Sequence, residues 1–444
     1  MNFKFGTDGI RGKANVTLPV TVAYRIGCYL GYYFSQNGKE KILIGKDTRR
    51  SGSMLESALA AGIVACGCDV YLLGVCPTPS VAYLVKTQGF ACGVMISASH
   101  NPYYDNGIKI FNALGMKLER EVEEKIEEYL RYDAQMELCT EENIGEIYGW
   151  QDGLSLYLDW LKEIVPLDLH GYKIALDVAN GSATTTAYKL LTAMGAECKL
   201  MHSEPNGVNI NTACGSTHPE SLIDVMENGD YDIGLAFDGD ADRLIAIAPD
   251  GQQINGDKVL YCCGKYLKEK NALPGNKVVT TVMANMGLFK ALENEGIDSE
   301  ITAVGDKYVF ENMHKNGYVL GGEQSGHIIF KEHANTGDGL LTALKVLEVM
   351  VNTGKGINEL TDALYVYPQL LVNVKVRDKE KAMQDPEVLA ACDRIEKELE
   401  GDGRILVRCS GTEPLVRVMV EAKSDELCHK YVYQVVEIIE KNGY

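Results

Sequence analysis

Four polar, glycine-containing segments each begin where a short apolar run ends, and this arrangement constrains the chain more than any other feature. Residues 94–96 lead into SASHNP (97–102), 233–237 into DGDADR (238–243), 318–320 into GGEQSGH (321–327), and 405–407 into RCSGTE (408–413). The apolar runs are rich in β-branched residues and bounded by turn formers, so they read as strands. In open α/β sheets ligands bind beyond the carboxyl ends of strands. Four such loops, one per domain, are expected to converge on one cleft.

The rest of the chain supports that frame. Strand patterns at 41–45, 70–73, 173–177 and 278–282 alternate with helical patterns at 54–66, from Thr184, and after Gly287. Strands alternating with helices predict βαβ units and mainly parallel sheets. The last part differs: strands at 370–376, 405–407 and 415–420 and helices at 386–399 and 425–441 predict a smaller α+β domain. Glycine-rich or polar breaks near 149–153, 251–256 and 367–369 divide the 444 residues into 1–150, 151–254, 255–367 and 368–444.

Composition narrows the partners. A formal net charge of −19 argues against nucleic acid and against an anionic membrane surface, because both need a basic face. A small anionic substrate remains compatible, since a few Arg and Lys residues can reverse the potential inside a cleft. The opening MNFKFGTDGIRG lacks the pattern of a signal peptide, and no apolar run reaches the ~20 residues of a membrane span, so a cytoplasmic chain is expected. The 13 cysteines are an odd number without metal-ligand spacing and read as reduced, mostly buried thiols.

The loops carry the chemistry. Asp238, Asp240 and Asp242 at alternate positions would repel one another without a cation, and hard oxygen donors select Mg²⁺ or Ca²⁺. An EF-hand is excluded, because its sixth position would be Arg243 instead of Gly and its twelfth Pro249 instead of Glu. Ser99, with His100 beside it and a turn following, has the setting of a nucleophile. Lys109 follows the turn signal at 105–107. Arg404, Arg408 and Arg417 around Ser410, Gly411 and Thr412 suit a phosphate cradle. A second cationic turn at 45–52 includes Arg49 and reads more simply as a surface turn. Glu323, Ser325 and His327 suit a polyol, with His327 able to act as acid, base or phosphate ligand.

With FGTDGIRG (5–12), ISASHNP (96–102), GEQSGH (322–327) and TGDGLLT (336–342) in this order, the sequence resembles the α-D-phosphohexomutase superfamily over nearly its whole length, and within it the glucosamine-phosphate branch. The resemblance implies an α/β fold of three similar mixed-sheet α/β domains plus a smaller C-terminal α+β, TATA-binding-protein-like domain around a central cleft. It implies exchange of phosphate between O6 and O1 of glucosamine phosphate, for UDP-N-acetylglucosamine synthesis. The route would use a phosphoserine at Ser99 and a sugar 1,6-bisphosphate as intermediate and activator. One Mg²⁺ would be held by the phosphorylated Ser99 with Asp238, Asp240 and Asp242. Arg11, His100, Lys109, Arg243 and His327 match positions that assist transfer. Lys307, Glu323 and Ser325 match sugar contacts; Lys307 keeps the charge but not the fork of the Arg found in many glucosamine enzymes. Arg408, Ser410, Gly411, Thr412 and Arg417 match a site for the phosphate that is not reacting. A phosphomannomutase/phosphoglucomutase, a phosphohydrolase and a non-catalytic phosphosugar-binding regulator are the alternatives. The partner implied is a small phosphosugar, with no nucleic acid and no membrane. The resemblance also allows a homodimer and, on resemblance alone, a diadenylate cyclase partner.

Overall fold

The computed structural model describes residues 3–6, 8–36, 38–132, 136–410 and 414–444. The chain divides into two compact units, Met1–Met283 with Ile297–Thr361, and Ala284–Gly296 with Asp362–Tyr444.

The first unit holds three mixed sheets. One has six strands in the order Ile10–Lys13, Asp105–Asn112, Cys92–Ile96, Lys41–Lys46, Asp69–Val75, Ile147–Gly149. Its last four run parallel, whereas Asp105–Asn112 is antiparallel to both neighbours. The central strand KILIGK shows why its apolar residues are consecutive and do not alternate. Ile42 and Ile44 pack under helices Val20–Ser35 and Gly52–Ala65, and Leu43 packs on the other face under helix Thr78–Gln88. A parallel strand covered on both faces needs apolar residues at every position.

The second sheet runs Gln253–Ile254, Leu244–Ile247, Ile233–Phe237, Lys173–Asp177, Glu197–Met201, and the third Asp298–Thr302, Lys277–Thr281, Leu320–Gly322, Ile328–Phe330. The helix expected from Thr184 is a 3₁₀ turn at Ser182–Thr185 followed by Ala187–Ala193.

The second unit has one antiparallel sheet, Gln369–Lys375, Leu415–Glu421, Arg404–Cys409. Val416, Val418 and Val420 point from its central strand into a core closed by Val388 and Ile395 of helix Pro386–Glu398 and Val432, Val435 and Ile439 of helix Asp425–Asn442. Helix Met286–Asn294 also belongs to this unit: Glu421 accepts the Met286 N–H at 3.0 Å.

All four polar segments close antiparallel hairpins. They link Cys92–Ile96 to Asp105–Asn112, Ile233–Phe237 to Leu244–Ile247, Leu320–Gly322 to Ile328–Phe330, and Arg404–Cys409 to Leu415–Glu421. A hairpin returns the chain beside the loop it has just made, so residues several positions later stand next to those before it. Two strands also reach further than expected: Gly321 and Gly322 lie within the third hairpin's first strand, and Arg408 within the fourth's.

Helices Val20–Ser35 and Gly52–Ala65 approach closely along a glycine seam. A Cβ on Gly62 would lie 2.1 Å from the Tyr24 carbonyl oxygen, and one on Gly27 2.2 Å from that of Leu59. Gly62→Ala in an unconstrained helix would be stabilising by about 1 kcal/mol. Here the backbone contact should reverse the sign and cost about 1–3 kcal/mol, read as a lower thermal midpoint. An unchanged or raised midpoint would show that the two helices can part without penalty.

Candidate active site

Ser99 sits in the first hairpin loop at φ 51, the left-handed region, which costs a non-glycine residue roughly 1–2 kcal/mol. The loop is held there by a buried guanidinium. Arg49, 3% exposed, donates to Asp47 through its backbone N–H (2.9 Å) and Nε (2.8 Å), and to the carbonyls of Ser99 (2.7 Å), Asn101 (2.9 Å), Asp105 (3.1 Å) and Pro102. Asp47 also accepts the Ser97 hydroxyl at 2.7 Å, and Ser97 Oγ accepts the Ser99 N–H at 2.9 Å. From the second sheet, Asn211 Nδ2 donates to the Ser99 carbonyl at 2.8 Å. The backbone of this loop is thus satisfied from three directions, leaving the Ser99 side chain to face the acidic loop.

There Ser99 Oγ donates to Asp238 Oδ2 at 2.6 Å and lies 3.2 Å from His100 Nδ1. The close approach requires Gly239, whose Cβ would fall 2.6 Å from the Ser99 carbonyl oxygen. Asp238, Asp240 and Asp242 are all buried, with ligand oxygens within 4.8 Å of one another. Lys109 answers them. It stands opposite Met95 on the return strand of the serine hairpin and reaches Asp240 Oδ2 (2.8 Å), Asp242 Oδ2 (3.4 Å) and Asp8 Oδ2 (2.9 Å). Thr78 Oγ1 adds a hydrogen bond to Asp240 Oδ2 at 2.5 Å.

One ammonium does not balance this charge. Burial, and then Asp242 and Asp240, push the Asp238 carboxyl well above its usual range. Burial would raise Asp242 too, but Lys109 and then His327 hold it below. Among the described residues, Asp240 Oδ1 and Asp242 Oδ1 are buried and accept no hydrogen bond. Buried carboxylate oxygens without donors, in an all-oxygen set, are what a hard divalent cation satisfies.

The flanking groups are cationic or neutral. Arg11, opposite Gly107 in the same sheet, pairs with Asp8. Arg243 closes the acidic loop, its N–H donating to Asp238 Oδ1 at 3.2 Å. Burial, and then Arg243 and Arg11, push His100 down to about 4, so its imidazole is neutral at neutral pH. His327 Nε2 accepts the Gly337 N–H at 3.0 Å, which leaves Nδ1 to carry the ring proton towards Asp242, 3.7 Å away. The third loop is tied to the strand leaving the second by Leu244 N–H to the Gly326 carbonyl (3.1 Å), and to the start of helix Gly256–Glu269 by Gly256 N–H to that of Gln324 (3.0 Å). Glu323 accepts the Gly305 N–H at 3.0 Å, and Ser325 is exposed at the loop's tip. Lys307 lines a cavity of about 330 Å³ together with Lys117 and Asp306.

In the second unit, Arg408 and Arg417 face each other as direct partners on adjacent strands. Burial, and then Arg417, lower the Arg408 guanidinium from its ordinary value. Ser410 is buried and directly follows the strand; Gly411 and Thr412 lie outside the described residues. Arg404 is not part of this cradle. It stands at the other end of its strand, binding Glu421 Oε2 at 2.7 Å and the Ala284 carbonyl, because Arg404 is paired in register with Glu421.

The sequence reading missed the supports. Asp47, Ser97 and Asn211 had no local signature, and Arg49 looked like a surface cation. Its only signal was position: like the four loops, it follows a strand's carboxyl end, here Lys41–Lys46. Asp8 and the ion pairs joining it through Lys117 (3.4 Å) to Asp306 (2.6 Å) span parts of the chain too distant to pair from sequence alone.

Models of the phosphoglucomutase/phosphomannomutase family match the chain in four parts: alpha/beta/alpha domain I at residues 2–136, domain II at 155–251, domain III at 255–367 and the C-terminal domain at 371–438. The chain belongs to that family. Within it, the chain is 52% identical over 441 residues to the phosphoglucosamine mutase of Lachnoclostridium phytofermentans, covering 99% of this chain and 98% of the relative. Among solved structures, it superposes on a phosphoglucomutase/phosphomannomutase family protein from Burkholderia thailandensis with TM-score 0.82 and 25% identity, over 99% and 98% of the two chains. It shares its fold with the Aspergillus fumigatus N-acetylphosphoglucosamine mutase solved with GlcNAc-6P and magnesium, at TM-score 0.72 and 18% identity over 100% and 96%. Among the described residues no helix is long and apolar enough to cross a membrane.

If Arg49 is a scaffold for the serine loop, Arg49→Met should leave Asp47 buried and unpaired and cost about 3–5 kcal/mol of stability. Arg49→Lys should recover part of that stability but little turnover, because an ammonium cannot serve the same fork of acceptors. Thermal melts and steady-state rates on both variants test this. Full turnover in Arg49→Lys would show that the loop holds itself.

Proposed function

We propose that this chain is a mutase that interconverts glucosamine 6-phosphate and glucosamine 1-phosphate, with Ser99 as its phosphoryl carrier. The observation that carries the reading is the Ser99 hydroxyl, buried and donating at 2.6 Å to one of three clustered aspartates. Phosphoserine 99 gives its phosphoryl group to O1 of the 6-phosphate, breaking the P–Oγ bond and forming a P–O1 bond, while the O1 proton passes to the departing Ser99 Oγ. The resulting 1,6-bisphosphate turns over in the site, and its 6-phosphoryl group passes back to Ser99 Oγ. The same bisphosphate primes unphosphorylated enzyme.

Ser99 Oγ regains or loses charge in each half-reaction. The residues around it are arranged for that change. Lys109, Arg11 and Arg243 hold positive charge beside the acidic loop, where transferring oxygens need it. His100 is neutral and adjacent to Oγ, and His327 carries its proton on the side of the acidic loop. Asp238, Asp240, Asp242 and the phosphorylated Ser99 would hold one Mg²⁺, which when bound neutralises the carboxylates and stabilises charge on the transferring phosphoryl group. Lys307, Glu323 and Ser325 take the sugar side. Arg408, Ser410, Gly411, Thr412 and Arg417 take the phosphate that is not reacting. Four functional domains, 1–150, 151–254, 255–367 and 368–444, accompany this assignment, each contributing one loop.

A coupled assay on glucosamine, glucose and mannose phosphates tests the substrate, and intact-mass analysis tests the carrier. Glucosamine phosphate should be turned over fastest. A phosphate adduct should be present in the wild type and absent, with nearly all turnover, in Ser99→Ala. EDTA should abolish activity and Mg²⁺ restore it. An alanine variant with full turnover ends the serine assignment, and a preference for mannose phosphate moves the chain to another branch of the family.

The Arg408 and Arg417 assignment makes a separate prediction. Two guanidinium groups at directly paired positions repel, and a phosphate between them relieves the repulsion. Charge-assisted hydrogen bonds of this type contribute about 1.5–3 kcal/mol each, so Arg417→Ala should weaken binding by roughly tenfold to a hundredfold. The same anchor must serve both orientations of the sugar. Calorimetric titration should therefore show the 6-phosphate and the 1-phosphate weakened alike. If only one weakens, the anchor serves a single half-reaction.

A further inference from the structure

Behind the serine loop lies a second group of metal-binding side chains that the proposed reaction does not use. Asp177 ends strand Lys173–Asp177, His202 follows strand Glu197–Met201, and Cys214 lies in the loop between His202 and helix Glu220–Asn228. One donor atom from each, a carboxylate oxygen, an imidazole nitrogen and Sγ, lies within 4.8 Å of the other two. We propose that Asp177, His202 and Cys214 bind a thiophilic divalent cation of the zinc class, at a site separate from the Asp238, Asp240 and Asp242 cluster.

Donor chemistry separates the two sites. An all-carboxylate set suits a hard cation, whereas a thiolate with an imidazole and one carboxylate suits zinc, with a fourth position left open. In a tetrahedral zinc site such donors stand about 3.3–3.6 Å apart, so a modest rotation of side chains closes the group. His202 Nδ1 is already 3.0 Å from Asp177 Oδ2. Nδ1 is nevertheless buried without a hydrogen bond among the described residues, so its approach to the carboxylate is not along an N–H direction. A buried ring nitrogen 3.0 Å from a carboxylate, with no proton partner among the described residues, is placed as a ligand would be. Asp177 is held rigidly for the role. Its oxygens accept the N–H groups of Ala179 (2.9 Å) and Gly215 (2.8 Å), and each carboxylate oxygen keeps a further lone pair. The His202 side chain is 30% exposed, which leaves a path for the ion. Burial pushes the Cys214 thiol up to about 12, and coordination is what would deprotonate it.

The site has a structural consequence. The loop closed by His202 and Cys214 carries Asn211, whose Nδ2 holds the Ser99 carbonyl. Ala179, Asn180, His202, Asn211 and Ala213 all adopt positive φ, between 47° and 57°. A cation bridging three points of these loops would fix strained backbone that supports Ser99, as structural zinc does elsewhere.

The test uses full-length enzyme stripped with EDTA and then saturated with Mg²⁺, so that the carboxylate cluster is occupied. Zn²⁺ is titrated and bound metal counted by mass spectrometry; Co²⁺ replaces it for spectroscopy. One equivalent of Zn²⁺ and a thiolate-to-cobalt charge-transfer band are expected in the wild type and in Asp240→Asn. Both should be lost in Cys214→Ser and in His202→Gln. The second variant alters a partly exposed side chain, so it decides the matter if the first fails to fold. No uptake by the wild type overturns the proposal. So does uptake that persists in His202→Gln, which would place the ion on other thiols, or uptake lost in Asp240→Asn, which would place it in the carboxylate cluster.

Discussion

Three buried carboxylates within one ion's reach of each other are the constraint around which the first unit is arranged. At a separation of ~4 Å two like charges repel by about 4 kcal/mol at the effective dielectric of a protein edge, and more inside. Asp238, Asp240 and Asp242 are buried nonetheless. The chain meets part of the cost with Lys109, itself held by Asp8, and part with Arg243 and Arg11 at the margin. What remains is visible as two carboxylate oxygens without donors among the described residues and one carboxyl pushed towards its neutral form. Such a centre is poorly stable by itself. A divalent cation would neutralise it, which links its incompleteness to the chemistry proposed for it.

Hairpins make that centre buildable from distant sequence. Lys109 lies on the strand that returns from the serine loop, and Asp238 and Arg243 stand at the two ends of the loop joining Ile233–Phe237 to Leu244–Ile247. In the first two hairpins a hydroxyl or carboxylate at the turn is thereby accompanied by a cationic side chain, Lys109 beside Ser99 and Arg243 beside Asp238. A strand-to-helix turn would give one functional loop and then carry the chain away. Antiparallel strands within otherwise parallel sheets are thus the topological feature on which the site rests.

This also explains what was legible in the sequence. Strand positions such as Lys173–Asp177 and Ile233–Phe237 follow from short β-branched runs, and the loop residues from their chemistry. The first two hairpins did not follow, because a polar loop after a strand looks the same whether a helix or a returning strand comes next. The fourth was readable, since residues 405–407 and 415–420 both have strand character with a short turn between. Arg49 was not. A buried arginine and an exposed one have the same local sequence, and only the convergence of four carbonyls and Asp47 separates them. Arg404 failed in the opposite direction. It looked like a phosphate ligand because it is near Arg408, but four residues along a strand is about 13 Å, and register with Glu421 decided its role.

The supports matter because the functional residues are strained. Ser99 and Ala241 occupy left-handed backbone that neither side chain favours, at the tips of loops that must meet within a hydrogen bond. Left alone, each loop would relax and the Oγ–carboxylate approach would open. The relaxation is blocked because the Ser99 carbonyl is bound by both Arg49, from the loop after Lys41–Lys46, and Asn211, from the loop after Glu197–Met201. A single carbonyl shared in this way ties the two sheets at the point where their side chains meet. The cost of holding strained loops is therefore spread over Asp47, Arg49 and Asn211, none of which contacts the Ser99 hydroxyl in the hydrogen bonds described. Substitutions behind the loop should act on reactivity as strongly as substitutions within it, because the geometry between Ser99 and Asp238 is a property of the whole scaffold.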